Sequence, residues 1–151
     1  MKTFLSKYLV TILATLLISA PSYAVTPYKW TGDVSISFLK GSSALSDSSK
    51  IQLARHLQRI NALNLEVIII AAAGDHVESK SNKSRELSLA KARAESIRQF
   101  FLNAGYPEQL IYDETKHPAS PWVSGPSPGT SRVLYIGFCK PGYLDICNEN
   151  P

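Results

Sequence analysis

An apolar run from Leu65 to Ala73, interrupted only by Glu66, constrains the fold of this chain more than any other stretch. A strand with neighbours on both sides shows this pattern, because neither of its faces or edges meets water freely. Gly74 breaks the run, and a polar loop rich in Ser and Lys follows it over residues 76–84. The pattern predicts a central strand that ends in a solvated loop.

A long amphipathic helix follows this loop. Its start is predicted near Ser84 or Arg85, and Gly105 and Pro107 are typical residues just beyond a helix end. The apolar stripe of the helix is formed by Leu87, Ala90, Ala94, Ile97 and Phe101. Spacings of three and four residues are those of a helix packed against a sheet.

The remaining elements complete a two-layer α/β sandwich. Alternating apolar and polar residues predict strands over 33–39 and 132–138, and a short strand is expected over 110–112. Ser46 is the predicted N-cap of a first helix. The apolar stripe expected for that helix is Ile51, Ala54, Leu57 and Ile60, widened by Leu53. The order β-α-β-α-β-β predicts a small mixed sheet of about four strands with two main helices on one face.

The first 24 residues are predicted to be a secretory signal peptide. Lys2 and Lys7 precede an uncharged run over 8–20, and residues 22–24 place small side chains at positions −3 and −1 of a cut. The apolar run is shorter than the roughly 20 residues that cross a bilayer. A retained anchor is the alternative. After cleavage we expect no stable membrane span.

The expected mature chain is long enough for one domain with one core. Removing 24 of the 151 residues leaves 127. We assign residues 25–138 to the domain and 139–151 to a C-terminal tail. The net charge of +4 falls to +2, because the signal peptide holds two lysines and no acids. So weak an excess argues against nucleic-acid binding, which needs a concentrated basic surface.

The tail holds the two cysteines of the chain, Cys139 and Cys147. After export they can form a disulfide that closes a short loop. Two cysteines without a neighbouring His are too few ligands for a structural zinc site, so we expect no metal site and no cofactor. Export with paired cysteines indicates the periplasm of a Gram-negative-type bacterium, with secretion into the medium as the less favoured location.

Several segments resemble the OmpA-like C-terminal domain family. Residues 93–97, with Phe101 and then Gly105-Tyr106-Pro107, are similar to the family's RAxxV helix and its Gly-Pro end. Upstream, residues 36–53 resemble its first strand and Ser-rich turn, and downstream residues 131–136 resemble its closing Arg-Val strand. The resemblance follows nearly the whole expected mature chain in order, and it implies the OmpA-like β-α-β-α-β-β fold.

The resemblance also implies a function. Proteins of this family bind peptidoglycan non-covalently in the periplasm, and an Asp after the second strand and an Arg on the following helix clamp diaminopimelate in the peptide stem. A carboxylate accepts hydrogen bonds from the ligand ammonium group, and a guanidinium grips the ligand carboxylate. Asp75, directly after Gly74, and Arg93 match these two positions.

Helix phase decides between two candidates for the arginine position. The family has apolar residues one and four places after its Arg. From Arg93 these are Ala94 and Ile97, whereas the alternative, Lys91, would send Glu95 into the core. Burying an unpaired carboxylate is strongly unfavourable, so the sequence favours Arg93.

Spacing leaves the acidic position open. The family separates its Asp and Arg by 15 positions, but Asp75 lies 18 positions before Arg93. Either the loop holds three extra residues, which loops tolerate well, or Glu78, at 15 positions, takes the role. We favour Asp75 because it directly follows the strand and Gly74.

The family's loop signature is incomplete in this chain. Its Asn position falls at Glu86 or Ser84, depending on register, and Asn82 is the nearest candidate to replace the Asn. His76 is a further candidate because it adjoins Asp75. The predicted peptidoglycan-binding residues are therefore Asp75, Arg93, Glu78, Asn82 and His76.

Two functions follow from these patterns. The first is a non-enzymatic periplasmic module that binds the peptidoglycan stem peptide through an Asp/Arg clamp and also has a protein partner in the envelope. The alternative is an OmpA-like protein-interaction subunit of an envelope assembly, such as a secretion or pilus apparatus, with a degenerate pocket that no longer binds glycan. The sequence has no nucleophile elbow, Gly-rich phosphate loop or HExxH motif, so we expect no enzyme.

Overall fold

A computed structural model describes residues 29–76, 81–115, 126–140 and 142–143. Within them the chain forms four strands, two α-helices and one short 3-10 helix. In chain order these are β1 (Lys29–Ser37), α1 (Asp47–Asn61), β2 (Leu63–Ala72), α2 (Lys83–Asn103), the 3-10 helix (Glu108–Leu110), β3 (Ile111–Asp113) and β4 (Thr130–Cys139). The predicted two-layer sandwich is confirmed, with its element order.

The sheet is mixed, and its strand order is β1-β4-β2-β3. β4 pairs antiparallel with both β1 and β2, and β3 pairs parallel with β2. The predicted central strand is confirmed, because β2 has β4 on one side and β3 on the other. Among the described residues, no helix is long and apolar enough to cross a membrane.

The core lies between the sheet and the two helices. Alternate strand residues point into it, and they include Val34, Ile36, Ile68, Ile70, Val133 and Tyr135. The helices contribute Leu53, Ile60, Ala90, Ala94, Ile97 and Phe101. Each fully buried aliphatic side chain, such as Ile68 or Ile97, contributes about 1.5–3 kcal/mol relative to exposure.

α1 begins as predicted but presents a different face to the sheet. The Ser46 side chain accepts a hydrogen bond from the main-chain N–H of Ser49, which confirms the N-cap. The predicted stripe is partly wrong, because Ile51 is 55% exposed while Leu53 and Ile60 are buried. At about 100° per residue, a constant spacing of three winds around the helix, so Ile51 and Ile60 lie on opposite sides.

α2 confirms four of the five residues of its predicted apolar stripe, since Leu87 is only half-buried, and two charged residues join them on the buried face. Ala90, Ala94, Ile97 and Phe101 are buried. Glu86 and Arg93 are also buried on this helix. The predicted signal peptide, Glu78 and Cys147 lie outside the described residues.

Candidate functional site

The candidate site lies where β2 ends and the chain turns toward α2. The main-chain N–H of Ala73 donates to the carbonyl of Thr130 at 3.0 Å, and the N–H of Gly129 donates to the carbonyl of Gly74 at 2.7 Å. These bonds hold the residues after β2 alongside the start of β4. Asp75 therefore projects from a segment that is fixed to the sheet.

Arg93 reaches this segment from within the core. Its side chain is 0% exposed. Nε donates to the carbonyl of Ser42 at 2.9 Å, Nη1 to that of Ala73 at 2.8 Å, and Nη2 to that of Leu39 at 3.3 Å. The guanidinium carbon also lies 5.1 Å from the centroid of the Phe38 ring, within the range of a cation–π contact. Arg93 thus joins α2 to β2 and to the turn after β1.

Arg93 and Asp75, 18 residues apart, form an ion pair. Nη2 of Arg93 donates to Oδ1 of Asp75 at 2.5 Å, and the main-chain N–H of Gly41 donates to Oδ2 at 2.5 Å. The Asp75 side chain is 8% exposed. The hydrogen bond from Arg93 lowers the pKa of Asp75 more than burial raises it, and the Gly41 N–H lowers it further. Asp75 is therefore an anion.

The turn after β1 serves both partners of this pair. Leu39 and Ser42 supply carbonyl acceptors for Arg93, and Gly41 supplies the N–H donor for Asp75. Gly41 has φ +72°, a conformation that glycine adopts without steric strain. The Ser-rich turn noted in the sequence is therefore a structural part of the site.

Glu86 is the residue of the site that the sequence did not single out as a candidate. Its side chain is 3% exposed. Oε2 accepts hydrogen bonds from the main-chain N–H groups of Asp75 at 2.7 Å and His76 at 3.1 Å, and Oε1 accepts from Nδ1 of His76 at 3.2 Å. Burial raises the pKa of Glu86, but the hydrogen bonds from His76 and Asp75 together outweigh it, so the pKa is lowered.

The position of Glu86 carries the signal that could have identified it. It lies seven residues before Arg93, which is two helical turns, so both side chains share the buried face of α2. The Arg93 register also places the family's Asn at this position. Here the carboxylate of Glu86 occupies that position and binds the main chain of the loop, whereas Asn82 was the candidate to replace the Asn.

Gly74 leaves room for this carboxylate. A Cβ atom at Gly74 would lie 2.8 Å from the Cβ of Glu86 and 2.9 Å from its main-chain oxygen. Such contacts are too close for any side chain without a shift of the backbone. Gly74 and Glu86 therefore fit each other closely.

The other predicted site residues have separate positions. Asn82 lies at the N-cap of α2 without a side-chain capping bond, and its carbonyl accepts from the N–H of Glu86. Lys91 is exposed, as the helix phase predicted. Cys139 ends β4, but because Cys147 is outside the described residues the disulfide stays a prediction. In the part of the chain that the structure describes, no group of three or more His, Cys, Asp or Glu could hold a metal ion.

A mixed four-stranded sheet covered by two helices is the architecture of the OmpA-like domain, and the chain has this fold. It is similar to the OmpA-like domain of FopA1 from Francisella tularensis, with a TM-score of 0.60 and 14% identity over 74% of this chain and 76% of that chain. Such low identity shows the fold alone.

Two further solved structures are more distant in shape. The peptidoglycan-associated lipoprotein from Burkholderia pseudomallei has a TM-score of 0.46 and 18% identity over 69% of this chain and 88% of that chain. The periplasmic domain of Helicobacter pylori MotB has a TM-score of 0.49 and 12% identity over 78% of this chain and 89% of that chain. No family model and no curated protein matches the sequence.

Proposed function

We propose that this chain is a non-enzymatic, peptidoglycan-binding module of the periplasm that binds the peptide stem at the Asp75–Arg93 pair. The observation that supports the proposal is the ion pair itself, formed across 18 residues at the end of the central strand. Fold and position agree with the resemblance, since the two residues match the Asp and Arg positions of OmpA-like domains.

The chemistry of Asp75 suits a cationic group of the ligand. Its carboxylate is held ionised, because the pKa is lowered chiefly by the hydrogen bond from Arg93. Each carboxylate oxygen has a lone pair beyond the one bond it accepts from Arg93 or Gly41. A ligand ammonium group can therefore bind Asp75 in a charge-assisted hydrogen bond while the internal pair stays in place.

Co-sedimentation with insoluble sacculi tests this proposal on the chain from Val25 onward. Asp75→Asn removes the charge and keeps the shape of the side chain. Asp33→Asn is a matched control, because Asp33 is also paired with an arginine, Arg132 on β4, but lies on the exposed part of β1. We expect wild type and Asp33→Asn to sediment with sacculi and Asp75→Asn to bind about 10- to 100-fold more weakly, the value of one charged hydrogen bond. A wild-type chain that stays in the supernatant contradicts the proposal.

Glu78→Gln separates the two candidate carboxylates in the same assay. Retained binding in Glu78→Gln, together with loss in Asp75→Asn, assigns the role to Asp75. The opposite result assigns it to Glu78 and leaves the Asp75–Arg93 pair with a structural role.

The second candidate is a protein-interaction subunit of an envelope assembly, such as a secretion or pilus apparatus. The complete burial of Arg93, whose donors bind the carbonyls of Ser42, Ala73 and Leu39, favours this alternative. In that case neither wild type nor any variant sediments with sacculi, while cross-linking in the envelope captures a reproducible protein partner. The peptidoglycan-binding proposal also includes an envelope partner, so the sacculus result is the one that distinguishes them.

A further inference from the structure

We propose that the site recognises a primary ammonium group alone and does not recognise the carboxylate beside it in diaminopimelate. This inference rests on the proposed function and names its ligand class. The ligand is a stem-peptide residue with a free side-chain amine, which includes lysine and diaminopimelate amidated at its side-chain carboxyl.

The first argument is that Arg93 has no free donor to offer. A guanidinium has five N–H groups. Three of those of Arg93 bind the carbonyls of Ser42, Ala73 and Leu39, and a fourth binds Asp75. The fifth is enclosed with the rest of the side chain, which is 0% exposed.

Moving the guanidinium toward a ligand would break contacts within the fold. The carbonyls of Ser42 and Ala73 accept from Arg93 at 2.9 and 2.8 Å, and they would lose a partner close to the core. Both bonds are partly shielded from water, so the loss of the arginine partner would be destabilising. The Phe38 ring would also lose its cation contact. Arg93 is therefore a positioning residue, which holds Asp75 from inside.

The second argument is the sign of the charge at the surface of the site. The Asp75 side chain is 8% exposed, and the 3% exposed Glu86 binds the main-chain N–H groups of Asp75 and His76 from inside. Both carboxylates are held ionised, since their pKa values are lowered by hydrogen bonds despite burial. A ligand carboxylate would approach the anion of Asp75, with the buried anion of Glu86 behind the main chain, and could not reach the enclosed guanidinium of Arg93. An ammonium group could instead donate to Asp75.

Glu86 adds an anion where the resembled family has a neutral Asn. In a site with Asp, Arg and Asn, the charges of Asp and Arg balance, which suits a zwitterion. Here the same three positions carry Asp75, Arg93 and Glu86, and their formal charges sum to one negative charge, with the adjoining His76 counted as neutral. A net negative charge favours binding of the ligand ammonium group and does not favour binding of the ligand carboxylate.

Binding of four synthetic tripeptides to the chain from Val25 tests the inference by isothermal titration calorimetry. All carry L-Ala-γ-D-Glu followed by diaminopimelate, amidated diaminopimelate, lysine or Nε-acetyl-lysine. We expect the first three to bind with Kd values within about threefold of each other, and acetyl-lysine, which lacks the ammonium group, to bind at least tenfold more weakly. Asp75→Asn should lose the three binding peptides and Asp33→Asn should keep them.

Each outcome has one meaning. Binding of diaminopimelate at least tenfold tighter than lysine overturns the inference and leaves the proposed function standing. If Lys40→Gln removes that preference, the exposed Lys40 in the turn after β1 is the group that binds the side-chain carboxylate of diaminopimelate. Binding of no peptide, together with no sedimentation with sacculi, overturns the proposed function and this inference with it.

Discussion

The carboxylate of Glu86 accepts a 2.7 Å hydrogen bond from the main-chain N–H of Asp75. A buried glutamate on α2 therefore holds the backbone of the aspartate at the candidate site. The next N–H, of His76, binds the same oxygen. Arg93, on the same face of α2, fixes the Asp75 side chain. One helix therefore determines both the main-chain path and the side-chain direction of Asp75.

Gly74→Ala should destabilise the fold and loosen this loop. The added Cβ would lie 2.9 Å from the main-chain oxygen of Glu86, and overpacking of this kind typically costs about 1–3 kcal/mol. Urea denaturation measures the loss, and hydrogen exchange should show faster exchange at the amides of Asp75 and His76. Gly105→Ala is the control, because Gly105 has φ +87° and open space around its Cα: it should lose stability and leave those two amides protected. Unchanged exchange in Gly74→Ala would contradict the packing of Gly74 against Glu86.

Acid should weaken the fold through Asp75 and Glu86. Both pKa values are lowered in the folded state from ordinary values of 3.8 and 4.5. The unfolded chain therefore binds protons first, so this stability is complete above about pH 4.5 and is lost as the pH falls through the lower, folded values. Urea midpoints between pH 7 and pH 2.5 measure the effect. The double variant Asp75→Asn, Glu86→Gln should show a shallower decline below pH 4.5, and a decline parallel to wild type would contradict the prediction.

Alkaline pH should destabilise the fold through ionisation of Tyr135, which is completely buried on β4. Its hydroxyl lies 2.9 Å from Nδ1 of His56, and burial raises its pKa to about 12. The unfolded tyrosine ionises near pH 10, so the contribution of Tyr135 is present below pH 10 and is lost as the pH rises toward 12. Ultraviolet titration should show one tyrosine ionising only with unfolding. Tyr135→Phe should remove this late ionisation step. It should also lower the free energy of unfolding at pH 7 by about 0.5–1.5 kcal/mol, because the hydrogen bond is lost. Ionisation of all tyrosines near pH 10 would refute the prediction.

The disulfide expected between Cys139 and Cys147 closes a loop of seven intervening residues at the end of β4. A short loop restricts the unfolded chain modestly, by about 2–3 kcal/mol in the chain-entropy treatment. Protein exported to the periplasm should show no free thiol under denaturing conditions. Dithiothreitol should lower the urea midpoint of wild type but not that of the Cys139→Ser, Cys147→Ser variant. Two free thiols in the exported protein would rule the disulfide out.

The sequence predicted the parts of this fold that rest on apolar periodicity. Helix phase favours Arg93 over Lys91 at the arginine position, because that register buries Ala94 and Ile97. The structure buries both residues. The partners of Arg93 were less accessible to prediction, since three of them are main-chain carbonyls, which any residue type supplies. The sequence therefore indicates the two charged side chains of the site, Asp75 and Arg93, but not the main-chain groups that Arg93 binds.

Glu86 escaped prediction for a related reason. Charged residues are rarely fully buried unless they are paired, so a glutamate on the first turn of a helix is ordinarily expected to face solvent. Its partners are the main-chain N–H groups of Asp75 and His76, which leave no signature in the sequence. The predicted α1 stripe is partly wrong for a different reason, because residues on one face of a 3.6-residue helix recur at spacings of both three and four, and a constant spacing of three leaves that face.

The placement of the last strand, β4, between β1 and β2 determines when the sheet can form. Among the described strands β1 bonds to β4 alone, and Asp33 and Arg132, which pair across these two strands, are 99 residues apart. Before β4 is available, the part of the sheet that the structure describes offers only the three-residue parallel pairing of β2 with β3. A chain that emerges amino end first from a ribosome or a membrane channel therefore has to keep β1 unpaired until residues 130–139 have arrived. The sheet is completed by β4, and loss of β4 would leave β1 with no neighbour among the described strands.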